Sequence, residues 1–179
     1  MSKRYFLRNK SNMRSDKEEF LDILSNYQGI LHKVSLVYFK NKPDREDNLQ
    51  EIIYQLWKSF PSLKNRNSIG SWIYAVSINT SISRIKKVTR IEYRETIPEL
   101  PDKSNIIDEM SVNESLQLLL DAIYNLDELD KSIMLLYLEE RSYVEIAEII
   151  GISRSNVGVR ISRAKELLKQ NLKKYNHEK

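Results

Sequence analysis

Residues 143–165 read YVEIAEIIGISRSNVGVRISRAK, and their spacing decides the fold. Ser142 stands three residues before Glu145, the arrangement in which a serine hydroxyl and a glutamate carboxylate satisfy the free amides at a helix start. Gly151 ends that helix, because glycine enters the left-handed conformation that turns a chain within few residues. Ser153 then caps a second, longer helix. Ala147 has to be small where the second helix crosses the first. Val157 packs back between the two, with Ile146, Ile150 and Ile161 filling the rest. The interval Ala-x3-Gly-x5-Val within helical periodicity is that of a DNA-binding helix-turn-helix. An ordinary helical hairpin with a glycine corner shares that interval, and the exposed face separates the two. Arg154, Ser155, Asn156, Arg160, Ser162, Arg163 and Lys165 give the second helix a polar and cationic surface. Arginine suits guanine edges, asparagine adenine edges and lysine the phosphates. Gly158, inside this helix, costs about 1 kcal/mol relative to alanine. It marks either close backbone approach to DNA or nothing in particular.

The rest of the chain supports an all-α architecture. Only 4 glycines and 4 prolines occur in 179 residues, too few for a phosphate-cradling loop or a sheet with many tight turns. Cysteine is absent and histidine occurs twice, as His32 and His177. Disulfides, thiol catalysis and Cys-ligated metals are therefore excluded, and His-based sites have almost nothing to draw on. No apolar run approaches the ~18 residues that a membrane-spanning helix needs. The expectation is a cytoplasmic protein without membrane insertion, metal or cofactor, and not an enzyme.

Periodicity and punctuation divide the chain into two small helical domains joined by a flexible linker. Residues 1–15 carry five basic groups and no acid, and read as a disordered basic tail. Residues 16–88 hold three helices: one over Asp16–Phe39, one from Pro43 to the residue before Pro61, and one from Ser68 to about Lys87. Residues 89–110 contain Pro98, Pro101 and six acids, and read as an acidic linker. Residues 111–175 form the second domain, with the helix-turn-helix. Within it, residues 111–151 carry 9 acids against 2 bases, whereas residues 152–179 carry 8 bases against 2 acids. Opposite charges on tethered modules have a high effective concentration, so the acidic block, the basic helix and the basic first domain should associate in the free chain. Basic stripes on separate elements also suit a nucleic-acid partner.

In the first domain, Asp44-Arg45-Glu46-Asp47, Gln50-Glu51 and Trp57 are followed by Trp72-Ile73, Val76 and Asn79. The second offers Leu126, Tyr137, Tyr143–Ile146, Ala147 and Val157-x-x-Arg160-Ile161-x-Arg163-Ala164. In these motifs the chain resembles sigma-70-type RNA polymerase sigma factors of the extracytoplasmic-function group, over Asp16–Lys87 and Val112–Lys174. It departs from them at Ile78, where a basic residue is usual, at Ser83, often aspartate, and at Gly158, often arginine or lysine.

The resemblance implies a dissociable initiation subunit that brings core RNA polymerase to promoter DNA and helps to open it. Asp44, Asp47, Gln50 and Glu51 would dock on the β′ clamp, with Trp57 in the core, and the second domain would meet the β flap. Lys64, Asn65, Arg66 and Asn67 would capture a flipped base of the −10 element, and Asn79, Ser83, Arg84, Lys86 and Lys87 would line the same strand. Arg154, Ser155, Asn156, Arg160, Ser162, Arg163 and Lys165 would read the −35 element. Tyr74 could stack on a base or sit in the core. An anti-sigma factor is a further implied partner. Two other classes remain for comparison. A helix-turn-helix repressor or activator normally dimerises over two half-sites, and no dimerisation seam is evident. A serine recombinase needs a glycine-bearing α/β catalytic domain that residues 16–88 do not offer.

Overall fold

The computed structural model describes residues 2–92 and 114–177, with side chains placed for 16–87 and 117–170. Those described residues form helices and turns and contain no strand. The first domain is built from α1 (Ser2–Tyr38), α2 (Lys42–Ser59) and α3 (Ile69–Glu92); the second from α4 (Glu114–Tyr124), α5 (Glu128–Leu138), α6 (Tyr143–Ile150) and α7 (Arg154–His177). Two short 3₁₀ turns, Phe60–Ser62 and Arg66–Ser68, join α2 to α3.

Two boundaries differ from the sequence reading. The backbone of α1 is helical from Ser2, where a disordered tail was expected. The reason is local: no glycine or proline precedes Gly29, so nothing breaks the helix on its N-terminal side. Likewise α3 runs on to Glu92, four residues into the stretch read as linker. The remainder of that linker, including both its prolines, lies outside the described residues.

The caps account for the other boundaries. Asn41 accepts the Asp44 amide at 2.8 Å, with proline in the first turn of α2. Asp127 accepts the Asp130 amide at 2.7 Å to start α5. The capping box is present in both directions: Ser142 Oγ accepts the Glu145 amide at 3.2 Å, and Glu145 accepts from the Ser142 amide at 2.9 Å. These bonds and Arg141 hold the Glu145 carboxyl below its ordinary value, so the cap's contribution is full near neutrality and fades in acid as that carboxyl protonates. Gly151 has φ +80°, and the amides of Gly151 and Ile152 both donate to the Ala147 carbonyl, at 2.9 and 3.1 Å.

The first domain packs around Phe20, Leu31, Val34, Ile52, Leu56, Phe60 and Ile73. A buried polar node ties its three helices: the Asn48 amide donates to the hydroxyls of Ser35 and Ser81, each at 2.9 Å. The second domain closes over Ile123, Ile133, Leu136, Ile146, Val157, Ile161 and Ala164. Ile149 is buried there, whereas Ile150, expected in the core, is half-buried, because the turn at Gly151 carries it to the rim.

The two glycines of the helix-turn-helix should respond oppositely to alanine. At Gly151 a Cβ meets no atom within 4 Å but is forced into the left-handed region, so Gly151→Ala should destabilise by about 1–2 kcal/mol. At Gly158 a Cβ comes to an ordinary 3.6 Å from the Tyr143 ring. Gly158→Ala should therefore stabilise by up to about 1 kcal/mol through helix propensity. Urea unfolding of both variants measures the contrast in sign.

Candidate nucleic-acid interface

The side of α7 that carries Val157, Ile161, Ala164 and Leu168 is buried against α4, α5 and α6, which leaves the opposite side to solvent. Arg154, Ser155, Asn156, Ser162 and Arg163 lie on that exposed side. Arg154 and Arg163 make no ion pair among the described residues, so their guanidinium groups stay available to an outside anion. Two of the expected cations are engaged within the domain. Arg160 donates to Asp130 at 2.7 Å and lies 3.6 Å from Asp127, which ties α7 to the first turn of α5. Lys165 donates to the Tyr137 hydroxyl at 2.7 Å and sits 4.1 Å from the centre of that ring. Val159, absent from the expected set, is 48% exposed in the middle of the outward side. A search for polar groups passes over an aliphatic residue, although its helical phase already placed it there.

Residues 64–68 form a short exposed loop in the first domain. Asn65 accepts the Asn67 amide at 3.0 Å and donates to Ser68 Oγ at 3.2 Å, so it shapes the loop from within. Arg66 pairs with Glu19 at 3.0 Å and lies over the Phe60 ring, 4.3 Å from its centre. Lys64 and Asn67 are exposed. Along α3, Asn79, Ser83, Lys86 and Lys87 are exposed in turn. Arg84 is again different: it reaches back to Asp47 at 2.9 Å and to Asp44 at 3.9 Å, joining α3 to α2.

The exposed side of α2 carries Asp47, Gln50 and Glu51, with Asp44 half-buried, while Asn48, Ile52 and Leu56 are buried behind it. Trp57 continues this exposed side and is 39% exposed, contrary to its expected place in the core. It sits at the rim, with its ring centre 5.1 Å from that of Phe20 in an edge contact, so one side covers the core and the other meets solvent. Tyr54, one turn earlier, is 56% exposed and went unnoticed in the sequence.

The domains meet through tyrosines and charges. The Tyr38 hydroxyl bonds the Ser132 hydroxyl and donates to the Glu128 carbonyl at 3.0 Å, and its burial pushes it above its ordinary pKa. Tyr74 is buried, donates to Glu139 at 3.1 Å and has Arg141 over its ring. Lys33 pairs with Glu139 at 2.7 Å. Lys40 and Lys131 both lie over the Tyr124 ring, at 4.2 and 4.6 Å from its centre. Burial lowers the pKa of Lys131. Among the described residues no cluster of three potential metal ligands occurs, and no helix is long and apolar enough to cross a membrane.

Comparison with known proteins agrees with this geometry. A model of sigma-70 region 2 matches residues 23–91, and one of sigma-70 region 4 matches residues 116–168. The ECF RNA polymerase sigma-E factor of Haemophilus influenzae is 28% identical over 173 residues, covering 89% of this chain and 90% of that protein. The ECF RNA polymerase sigma factor SigW of Bacillus subtilis is 26% identical over 176 residues, covering 89% and 92%. Among solved structures, the sigma factor RpoE in complex with the anti-sigma factor NepR from Bartonella quintana superposes with a TM-score of 0.66 at 21% identity, covering 88% of this chain and 96% of that one. At that identity the superposition speaks for the fold.

The sorting of the α7 cations has a direct consequence for stability. Arg160 is three-quarters buried and its partner Asp130 more so, so Arg160→Ala strands a carboxylate and should cost about 1–2 kcal/mol. Arg163→Ala removes an unpaired surface group and should fall within about 0.5 kcal/mol of the parent. Thermal unfolding of the two variants side by side measures the difference.

Proposed function

Since this chain belongs to the sigma-70 family of RNA polymerase sigma factors, in its extracytoplasmic-function group, and so directs polymerase to promoters, we propose that it does so through three separate surfaces. The exposed side of α2, with Asp44, Asp47, Gln50 and Glu51, docks on the β′ clamp of core polymerase. Lys64, Asn67, Asn79, Ser83, Lys86 and Lys87 follow the opened strand at the −10 element, with Asn65 and Arg66 holding the loop that presents them. Arg154, Ser155, Asn156, Ser162 and Arg163 read the −35 duplex, while the second domain rests on the β flap. Arg84, Arg160 and Lys165 position these surfaces. The protein catalyses no reaction of its own and works in the cytoplasm, where its polymerase is.

The observation that carries this reading is the pairing of two outward surfaces of opposite character. Packing buries one side of α2 and one side of α7, and leaves outside an acid–amide side on the first and a cationic side on the second. A repressor would need the second surface alone.

The packed domains are the resting form of this factor, and polymerase separates them. About 25 base pairs lie between elements centred at −10 and −35, which is ~85 Å of duplex at 3.4 Å per pair. Two packed domains of ~70 residues, each with a radius of gyration near 11 Å, do not span that distance. Residues 93–113 can bridge up to about 70 Å when extended. Separation also frees Tyr74, on the same helix as Asn79 and Ser83. An anti-sigma protein, the kind of partner seen with RpoE of Bartonella quintana, would act by holding the factor away from polymerase.

The division of labour can be measured with purified core polymerase. Glu51→Lys should abolish core binding with helical content unchanged, and it is a cleaner probe than Asp47, which Arg84 engages. With core supplied, Arg163→Ala should weaken binding to closed promoter duplex. Asn79→Ala should spare that binding and reduce permanganate reactivity of the −10 thymines. Equal loss of duplex binding in both variants would remove the assignment.

A further inference from the structure

Val159 occupies the middle of the exposed side of α7, with 48% of its surface open. One helical turn to either side stand Ser155, Asn156, Ser162 and Arg163, all exposed. Among these polar neighbours it is the apolar group, and the fold covers only about half of it, although a β-branched side chain loses rotamer freedom in a helix. A single exposed valine is ordinary on a protein surface. This one lies on the side that, under the reading above, enters the major groove.

The adjoining residue sharpens the point. Gly158 carries no side chain, and the atoms that a Cβ there would meet belong to the ring of Tyr143, at 3.6 and 3.8 Å. Tyr143 is itself 37% exposed. Gly158 thus turns toward the Tyr143 ring on the flank of α7, and Val159 stands next to it on the outward side. The floor of the major groove offers one methyl group, that at C5 of thymine, and its other distinguishing edge groups donate or accept hydrogen bonds.

We propose that Val159 selects a thymine in the −35 element by packing its isopropyl group on the base's 5-methyl. This rests on the assignment of α7 to the −35 duplex, and adds to it the identity of one base. The flanking cations hold the phosphates, and the valine supplies discrimination that does not depend on charge.

Exchange of thymine for deoxyuridine removes the methyl group and leaves every hydrogen bond in place, so it isolates this contact. Full-length protein with core polymerase first enriches its preferred −35 duplex from a randomised library. Each thymine of that duplex, on both strands, is then replaced singly by deoxyuridine, and affinity is measured for the parent and for Val159→Ala. At one position the parent should lose about fourfold, the worth of one buried methyl group. Val159→Ala should be weaker on the thymine duplex by a similar factor and indifferent to the exchange there, with its melting temperature unchanged. Insensitivity of the parent to every exchange would overturn the proposal, as would an undiminished response in Val159→Ala. Failure to enrich any −35 sequence would remove the assignment of α7 itself, and the role of Val159 with it.

Discussion

Helix α5 is buried on all sides, and much of the architecture depends on that. Six consecutive residues, Lys131 to Leu136, are each at least nine-tenths covered. A surface helix of a small domain covers one stripe; a helix covered all round needs neighbours on every side. The second domain provides α4, α6 and α7, with Ile133 and Leu136 at the centre of its core. The first domain provides α1, whose Tyr38 meets Ser132. Lys131 lies over the Tyr124 ring of α4, which Lys40 of the first domain also faces. Burying a lysine and a serine is costly without partners, and both have one within the second domain, the Tyr124 ring and the Glu128 carbonyl, so α5 can be uncovered without stranding them.

That balance suits a factor that has to open. The contacts between the domains include tyrosine hydroxyls, an ion pair between Lys33 and Glu139 and cations over rings, set beside apolar groups continuous with both cores. Each such contact contributes modestly in water and is readily exchanged for solvent or for a partner's surface. The charge distribution works in the same direction. The acidic part of the second domain, residues 111–151, carries Glu128 and Glu139 to the basic first domain, while the cationic side of α7 stays outside for DNA.

Most of the fold was legible in the sequence, because it is set by local chemistry. Pro43, the Ser142–Glu145 box and Gly151 act within a few residues of themselves, and the helices there start and stop where those residues predict. The long start of α1 follows helix propensity, whereas its basic composition points to a disordered tail. The site was legible only in part. A sequence shows which arginines fall on a polar side of a helix, but not that Arg160 has Asp130 within reach, or that Arg84 has Asp47, since those carboxylates come from other helices. Trp57 follows a related rule: its phase on α2 is that of Gln50 and Glu51, and phase outweighs the large aromatic character that points to the core. Tyr74 suits base stacking or the core on sequence alone, and its burial comes partly from Glu139 and Arg141 of the other domain, which α3 alone does not reveal.

The central claim is that the two domains are packed in the free factor and separated on polymerase. The chain has no cysteine, so two can be introduced at exposed positions and labelled without background, as Gln28→Cys on α1 and Lys169→Cys on α7. The distance between the labels, read by energy transfer or paired spin labels, should be a single short distribution in the free protein. It should move to a clearly longer one when core polymerase is added. An unchanged short distance in the polymerase complex, or a long and broad one in the free chain, would contradict the account.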